Sequence, residues 1–209
     1  LIKTGGRGAV ISKRVVDQWK DQKLPEGIFT MLDGSTKSFK DFEGQLLVLN
    51  FWYINCGPCI AEMPYLNNLV ETYKDKGVQF LALSFDSIPD ITNFLTRTDF
   101  TYIQAGIDRA FMYDFTPVSP AHFIVDKDGI IRDILIGAPR NTPEIYDRLV
   151  SVIEKNKKGK KPFKKETVEI SPEEAQKRVR ETLQRLQGRG KKKSVKNRRD
   201  KRDLHRQQS

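Results

Sequence analysis

Residues 46–66 read LLVLNFWYINCGPCIAEMPYL. The run at 46–53, LLVLNFWY, is apolar apart from Asn50 and rich in strand formers, which predicts a strand buried on both faces. Residues 58–76 carry Leu66, Leu69, Val70 and Tyr73 on one side and read as a helix, with Pro64 predicted to kink it and Gly77 to stop it. Between strand and helix stands Cys56-Gly57-Pro58-Cys59, which holds both cysteines of the 209-residue chain. A loop closed across so few residues removes little chain entropy, so bracing the fold explains this pair poorly. Metal binding, redox chemistry and coincidence are the remaining readings.

The junction itself favours redox chemistry. A sulfur at a helix start faces free backbone N–H groups and the positive end of the helix dipole, which raises its thiolate fraction. Gly57 and Pro58 keep the turn compact, and proline in the first helical turn costs no hydrogen bond. Cys59, one turn inside, is placed to attack a mixed disulfide on Cys56 and release the product. Zinc needs about four ligands, and only His122 and His205 accompany the cysteines, so no metal is expected. A peroxidatic cysteine would want threonine where Tyr53 stands.

Working outward, residues 9–20 suit a short amphipathic helix inside an otherwise polar, irregular extension, 1–26. Two extended runs in 27–39 flank Asp33-Gly34, a hairpin turn signal. Residues 78–85 read as a second buried strand, 89–97 as a helix, 100–104 as a short strand and 108–114 as a helical turn. Strands at 122–126 and 130–137 flank the turn Lys127-Asp128-Gly129. Residues 142–155 form the closing helix, with Thr142 as N-cap and Pro143 in its first turn. Strand–helix–strand units followed by a hairpin and a helix give an α/β domain, a central mixed sheet flanked by helices.

The formal charge of +10 is an average over two unlike parts. Residues 155–209 hold 21 Lys and Arg against 7 Asp and Glu, a net of +14, while residues 1–154 hold 16 against 20, a net of −4. The basic character therefore belongs to a tail, 156–209, in which Ser171, Pro172 and Glu174 cap a helix at 171–187. Such a tail either stays solvated or meets anionic lipid. With Phe163 its only aromatic residue, it lacks a platform for stacking bases, so nucleic acid is not the expected partner. No apolar run approaches the roughly 20 residues that cross a bilayer.

NFW, then CGPC, then a helix containing Pro64, resembles the thioredoxin superfamily. Within it, residues 27–52, GIFTMLDGSTKSFKDFEGQLLVLNFW, resemble the lead-in of the TlpA/ResA-like thiol–disulfide oxidoreductases, redoxins with an N-terminal β-hairpin before the catalytic strand. Their C-x-x-C-x-x-E-x-P pattern is met by Cys56, Cys59, Glu62 and Pro64, and their later proline motif by residues 113–129, YDFTPVSPAHFIVDKDG. The resemblance covers roughly 27–155 and implies a thioredoxin-like fold in which Cys56 attacks and Cys59 resolves. A cis proline at Ser119-Pro120 is implied to shape a substrate groove with Gly57, Pro58 and Trp52; Pro117 is the trans competitor. Two positions depart from the pattern: Asn50 stands where thioredoxin buries an aspartate, and Asn55 where a tryptophan usually precedes the first cysteine. The substitute acid is expected to be Glu62, one helical turn from Cys59, since a buried carboxyl favours its neutral form and accepts the thiol proton. The plainer alternative is a solvent-facing carboxylate. His122 is expected as an ordinary surface histidine rather than a copper ligand.

The resemblance further implies reduction of disulfides in other envelope proteins, often in cytochrome c maturation or related thiol maintenance, by a protein of the periplasm or cell envelope that is either periplasmic or membrane-anchored, the anchor then being an N-terminal segment missing from this chain. Its partners would be a disulfide-bearing client and a dithiol electron donor, with no bound cofactor. Oxidation is the opposite direction, which Gly-Pro between the cysteines does not decide. A non-catalytic binding protein acting through the basic tail is the alternative from another class.

Overall fold

The computed structural model describes residues 7–139 and 141–157. The chain divides into two units, Leu1–Lys161 and Pro162–Ser209, and every described residue belongs to the first. The helix expected at 171–187 and nearly all of the basic tail lie outside the described residues.

Seven strands form one sheet. β1 (Ile28–Met31) and β2 (Thr36–Ser38) are the N-terminal hairpin, followed by a 3₁₀ turn at Phe39–Phe42. β3 (Leu46–Trp52), β4 (Val78–Ser84) and β5 (Ile103–Ile107) are parallel, joined by helices α2 (Gly57–Tyr73) and α3 (Ile88–Leu95). α4 (Arg109–Phe115) leads to the antiparallel pair β6 (Ala121–Val125) and β7 (Ile131–Ile136), and α5 (Glu144–Lys157) closes the domain. The order across the sheet is β2-β1-β5-β4-β3-β6-β7, with β6 antiparallel to β3 and β1 antiparallel to β5. β3 is thus an interior strand, and all seven of its residues are buried, as a run apolar at every position but Asn50 requires.

Alternation along the strands sorts side chains into two layers. Leu47, Leu49 and Phe51 of β3 join Phe123, Val125, Met112 and Phe115 under α4, while Val48 and Trp52 join Met63, Leu66, Leu69, Ile91 and Leu149 under α2, α3 and α5. The hairpin turns where expected: Gly34 has φ of +82°, and Asp33 Oδ1 accepts from the Ser35 amide at 2.9 Å.

Three elements differ from expectation. The extension before residue 27 is not merely an appendage. Helix α1 (Arg7–Trp19) donates the Trp19 indole N–H to the Phe115 carbonyl at 2.9 Å, and Val15 and Leu24 enter the core. Residues 21–24 then bond along the free edge of β7, through Asp21 N to Ile131 O at 2.7 Å and Ile131 N to Gln22 O at 2.8 Å. Buried Arg132 fastens this seam to Asp126 at 2.6 Å and Asp21 at 3.3 Å. The strand expected at 100–104 starts at Ile103, because Phe100 and Tyr102 are spent packing on Trp52 and Phe80. Helix α5 begins at Glu144, its first turn tightened by bonds from Ile145 N to Thr142 O and from Tyr146 N to Pro143 O.

Candidate active site

The loop leaving β3 is tied down before it reaches the cysteines. Asp86, just beyond β4, accepts from the Ile54 amide at 2.8 Å and from the Ser84 hydroxyl at 2.7 Å. The Cys56 amide then donates to the Tyr53 carbonyl at 3.0 Å. Cys56 is the N-cap of α2, and its Sγ accepts from the Cys59 amide at 3.3 Å. A sulfur thus occupies the place where a capping oxygen usually sits, at the positive end of the helix. Gly57 and Pro58 occupy the first turn. Cys56 and Cys59 are joined as a disulfide with Cα atoms 5.2 Å apart. Both are buried, whereas Asn55, Gly57 and Pro58 beside them are exposed.

Beneath α2 the core turns polar along a single row of the sheet. Register places Gln104 of β5, Ala82 of β4, Asn50 of β3 and His122 of β6 side by side. Glu62 descends from α2 onto this row. It is fully buried, which removes the solvent-facing alternative. Its Oε2 lies 3.1 Å from His122 Nε2, and His122 Nδ1 lies 3.2 Å from Asn50 Nδ2. His122 is therefore not the surface histidine expected from its place at a strand start. It is wholly buried because β6 is an interior strand and residue 122 faces α2. Glu62 Oε1, Tyr102 Oη, Trp52 Nε1 and Gln104 Oε1 are buried with no hydrogen-bond partner among the described residues. Burial, and secondarily the charge of Glu62, push the Tyr102 hydroxyl well above the ordinary tyrosine range.

The antiparallel register pairs Phe51 with Ala121, so the end of β3 and the start of β6 lie together. The Ser119–Pro120 bond, directly before β6, is cis. Pro120 is buried, Ser119 is half-buried, and Pro117 is exposed. A cavity of about 240 Å³ opens between Tyr53 and Phe85 on one side and Met112, Tyr113 and residues 116–119 on the other. Tyr53 stacks on Phe85 at 5.3 Å, and the Arg109 guanidinium sits 4.1 Å from the centre of the Phe85 ring. Trp52, grouped by sequence with the substrate-contacting residues, is fully buried between Phe94 and Phe100, so its place is packing behind the site. A cavity of about 740 Å³ lies at the other end of β3, near Leu47, Phe39 and Gly129, remote from the cysteines.

Sequence reading missed Asp86 and the Asn50–His122 pair. For Asp86 the available signal was Ser84-Phe85-Asp86-Ser87, polar residues at the end of a buried strand. For the pair there was none without the strand register. Together these parts can stabilise a thiolate on Cys56, hold a second sulfur one turn away and keep a buried carboxyl behind it.

The family model for redoxin matches residues 20–150. A thiol-disulfide oxidoreductase ResA of Bacillus cereus is 36% identical over 120 residues, covering 56% of this chain and 69% of the relative. ResA of Geobacillus kaustophilus is 34% identical over 118 residues, covering 54% and 67%. Among solved structures, a putative thiol:disulfide interchange protein DsbE from Chlorobium tepidum superposes with a TM-score of 0.56 at 24% identity, covering 64% of this chain and 97% of that one. The thioredoxin domain of a thiol-disulfide oxidoreductase from Bacteroides vulgatus gives 0.55 at 21%, covering 64% and 97%. These last two likenesses show a thioredoxin-like fold. With a family model matched over most of the domain and ResA relatives matched over two thirds of their length, the chain belongs to the redoxin family and is a thiol–disulfide oxidoreductase.

Proposed function

We propose that the protein reduces disulfides of other cell-envelope proteins, with Cys56 attacking, Cys59 resolving and Glu62 handling the proton. The observation that carries this reading is the sulfur of Cys56 capping α2 and accepting the Cys59 amide at 3.3 Å. In the reduced protein the same site favours a Cys56 thiolate. That thiolate attacks one sulfur of a client disulfide, forming a mixed disulfide and expelling the other client sulfur as a thiolate, which takes a proton from water. Cys59 passes its proton to Glu62 and attacks Cys56 Sγ. The Cys56–Cys59 bond forms, and the second client sulfur leaves. Two electrons have moved to the client, whose two sulfurs are protonated from water while the Cys59 proton stays on Glu62, and a donor protein with its own dithiol restores the cysteines by the reverse exchange. No bound cofactor is needed for either half.

Ser119 lies just outside the β6 ladder beside the site, where an extended client segment can align with it, and Gly57 and Pro58 offer exposed surface. The envelope setting, the reducing direction and a place in cytochrome c maturation rest on the resemblance of the sequence motifs. The test is insulin reduction with dithiothreitol, comparing wild type with Cys56→Ser. The variant should fall to the uncatalysed rate; equal rates would leave the scaffold reading, with the basic tail as the working part. Equilibration with glutathione tests direction, since a potential near about −120 mV would mark a strong oxidant.

A further inference from the structure

The exchange steps above leave a buried histidine without a task. Elsewhere β6 presents only Ala121, Phe123, Ile124 and Val125, all buried and apolar. Placing asparagine, histidine and glutamate together in such a layer costs desolvation that three apolar side chains would avoid. The polar row also falls at the level of the sheet that Glu62 reaches from one turn beyond Cys59.

The hydrogen bonds fix the state of the ring. The Asn50 side-chain nitrogen can only donate, and it lies 3.2 Å from His122 Nδ1, so Nδ1 accepts. The proton of the neutral imidazole is then on Nε2, 3.1 Å from Glu62 Oε2, which accepts it. One carboxylate oxygen is thereby held, while Oε1 has no partner among the described residues. Titratable groups facing this carboxyl are Cys59, one turn before it on α2, His122 on β6 and Tyr102, whose buried hydroxyl feels the charge of Glu62. Asn50 on β3 is the neutral member of the set.

We infer that His122 is a positioning residue for the resolving step: held by Asn50 with its proton on Nε2, it fixes one oxygen of Glu62 and leaves the other to take the proton of Cys59. In that step the Cys59 S–H bond breaks and the proton goes to Glu62 Oε1. The sulfur electron pair forms the bond to Cys56 Sγ, and the bond from Cys56 Sγ to the client sulfur breaks with its electrons leaving on the client. When a donor dithiol reopens the disulfide, Cys59 leaves as a thiolate and takes the proton back from Glu62. The histidine keeps its own proton throughout.

The inference rests on the exchange reading of Cys56 and Cys59, and one experiment separates the two. Reduced protein is mixed with oxidised glutathione, and the Cys56–glutathione adduct is followed by rapid quench and mass spectrometry. His122→Phe should slow decay of the adduct about tenfold or more, a fraction of the roughly 10²–10⁴ that a positioned acid or base contributes. His122→Gln, which restores an N–H donor near the position of Nε2, should recover most of that loss. Glu62→Gln should be slow, and adding His122→Phe to it should slow it no further. In ¹⁵N-histidine spectra of the wild type, the His122 ring should carry its proton on Nε2 in both redox states and shift on reduction. Adduct decay at the wild-type rate in His122→Phe, additive losses in the double variant, or a proton on Nδ1 would overturn the inference. The spectra need no variant and decide the matter even if His122→Phe fails to fold. Absence of any adduct in the wild type would instead sink the exchange reading itself.

Discussion

Asp86→Ala tests whether the approach to the cysteines is held from β4. The Asp86 carboxylate accepts the Ile54 amide at 2.8 Å and the Ser84 hydroxyl at 2.7 Å, and Ser84 is fully buried. A hydrogen bond to a charged group contributes about 1.5–3 kcal/mol net, with the lower part of that range applying to a half-buried carboxylate. Two bonds share this acceptor, and truncation leaves the Ser84 hydroxyl without it, so a loss of about 2 kcal/mol is expected for the oxidised protein. For a domain of this size that corresponds to a fall in Tm of about 4–8 °C. Asp86→Asn keeps an acceptor oxygen without the charge and should lose about 1 kcal/mol or less. Amide exchange is the direct assay. The Ile54 N–H, bonded to Asp86, should lose protection in Asp86→Ala, while amides in the middle of β3 keep theirs. Because the Cys56 amide bonds to Tyr53 within the same loop, attack on oxidised glutathione should slow several-fold alongside. An Asp86→Ala protein with wild-type Tm and an Ile54 amide as protected as before would refute the tether.

Three further outcomes concern the site and the tail. Burial, then the charge of Glu62, hold the Tyr102 hydroxyl neutral well above the ordinary tyrosine value of 10.0. A folded pKa raised above the unfolded one gives stability that is complete below about pH 10 and is lost as pH rises toward the folded value. Urea midpoints should therefore fall above about pH 10, less steeply in Tyr102→Phe, with Tyr73, pushed up to about 12 by burial and by Glu154, adding in the same sense. At neutral pH Tyr102→Phe removes an unpartnered buried hydroxyl and should raise stability by about 1 kcal/mol. For the tail, a net charge of +14 over residues 155–209 predicts that the full chain co-sediments with vesicles rich in phosphatidylserine at low salt and is released as salt rises. Failure to bind at low salt would leave the tail a solvated extension.

What the sequence made legible was local. The run at 46–53, the cysteine pair at the following helix start and the turns at Asp33-Gly34 and Lys127-Asp128-Gly129 each carry their own signal within a few residues. What it hid was set by register. His122 looks like a strand-edge residue until β6 is known to lie between β3 and β7, with residue 122 opposite Asn50. Asn50 looked like the loss of a buried acid, yet it is the group that orients the histidine bonded to Glu62. The edge role of residues 21–24 was hidden for the same reason: those bonds join backbone groups more than a hundred residues apart, and side-chain identity says little about them.

The two sulfurs lie one helical turn apart, yet different parts of the fold serve them. Cys56 is governed by the helix terminus and by the loop that Asp86 tethers, so its state depends on backbone groups at the end of β3. Cys59 has behind it Glu62, His122 and Asn50, and so depends on side chains that only the alignment of β3 with β6 brings together. This separation is what the proposed order of exchange, Cys56 first and Cys59 second, requires. Attack on a client needs a thiolate before the client arrives, whereas resolution needs a proton removed only after the mixed disulfide exists. If one environment served both sulfurs, a change that favoured the first thiolate would also ionise the second early, and the client would meet two competing nucleophiles. The division further predicts which rate each perturbation touches: loosening the Asp86 tether acts on formation of the adduct, and disturbing the row beneath α2 acts on its decay. A variant of Asp86 that slowed only decay, or a variant of His122 that slowed only formation, would show that the two halves of the site are not divided in this way.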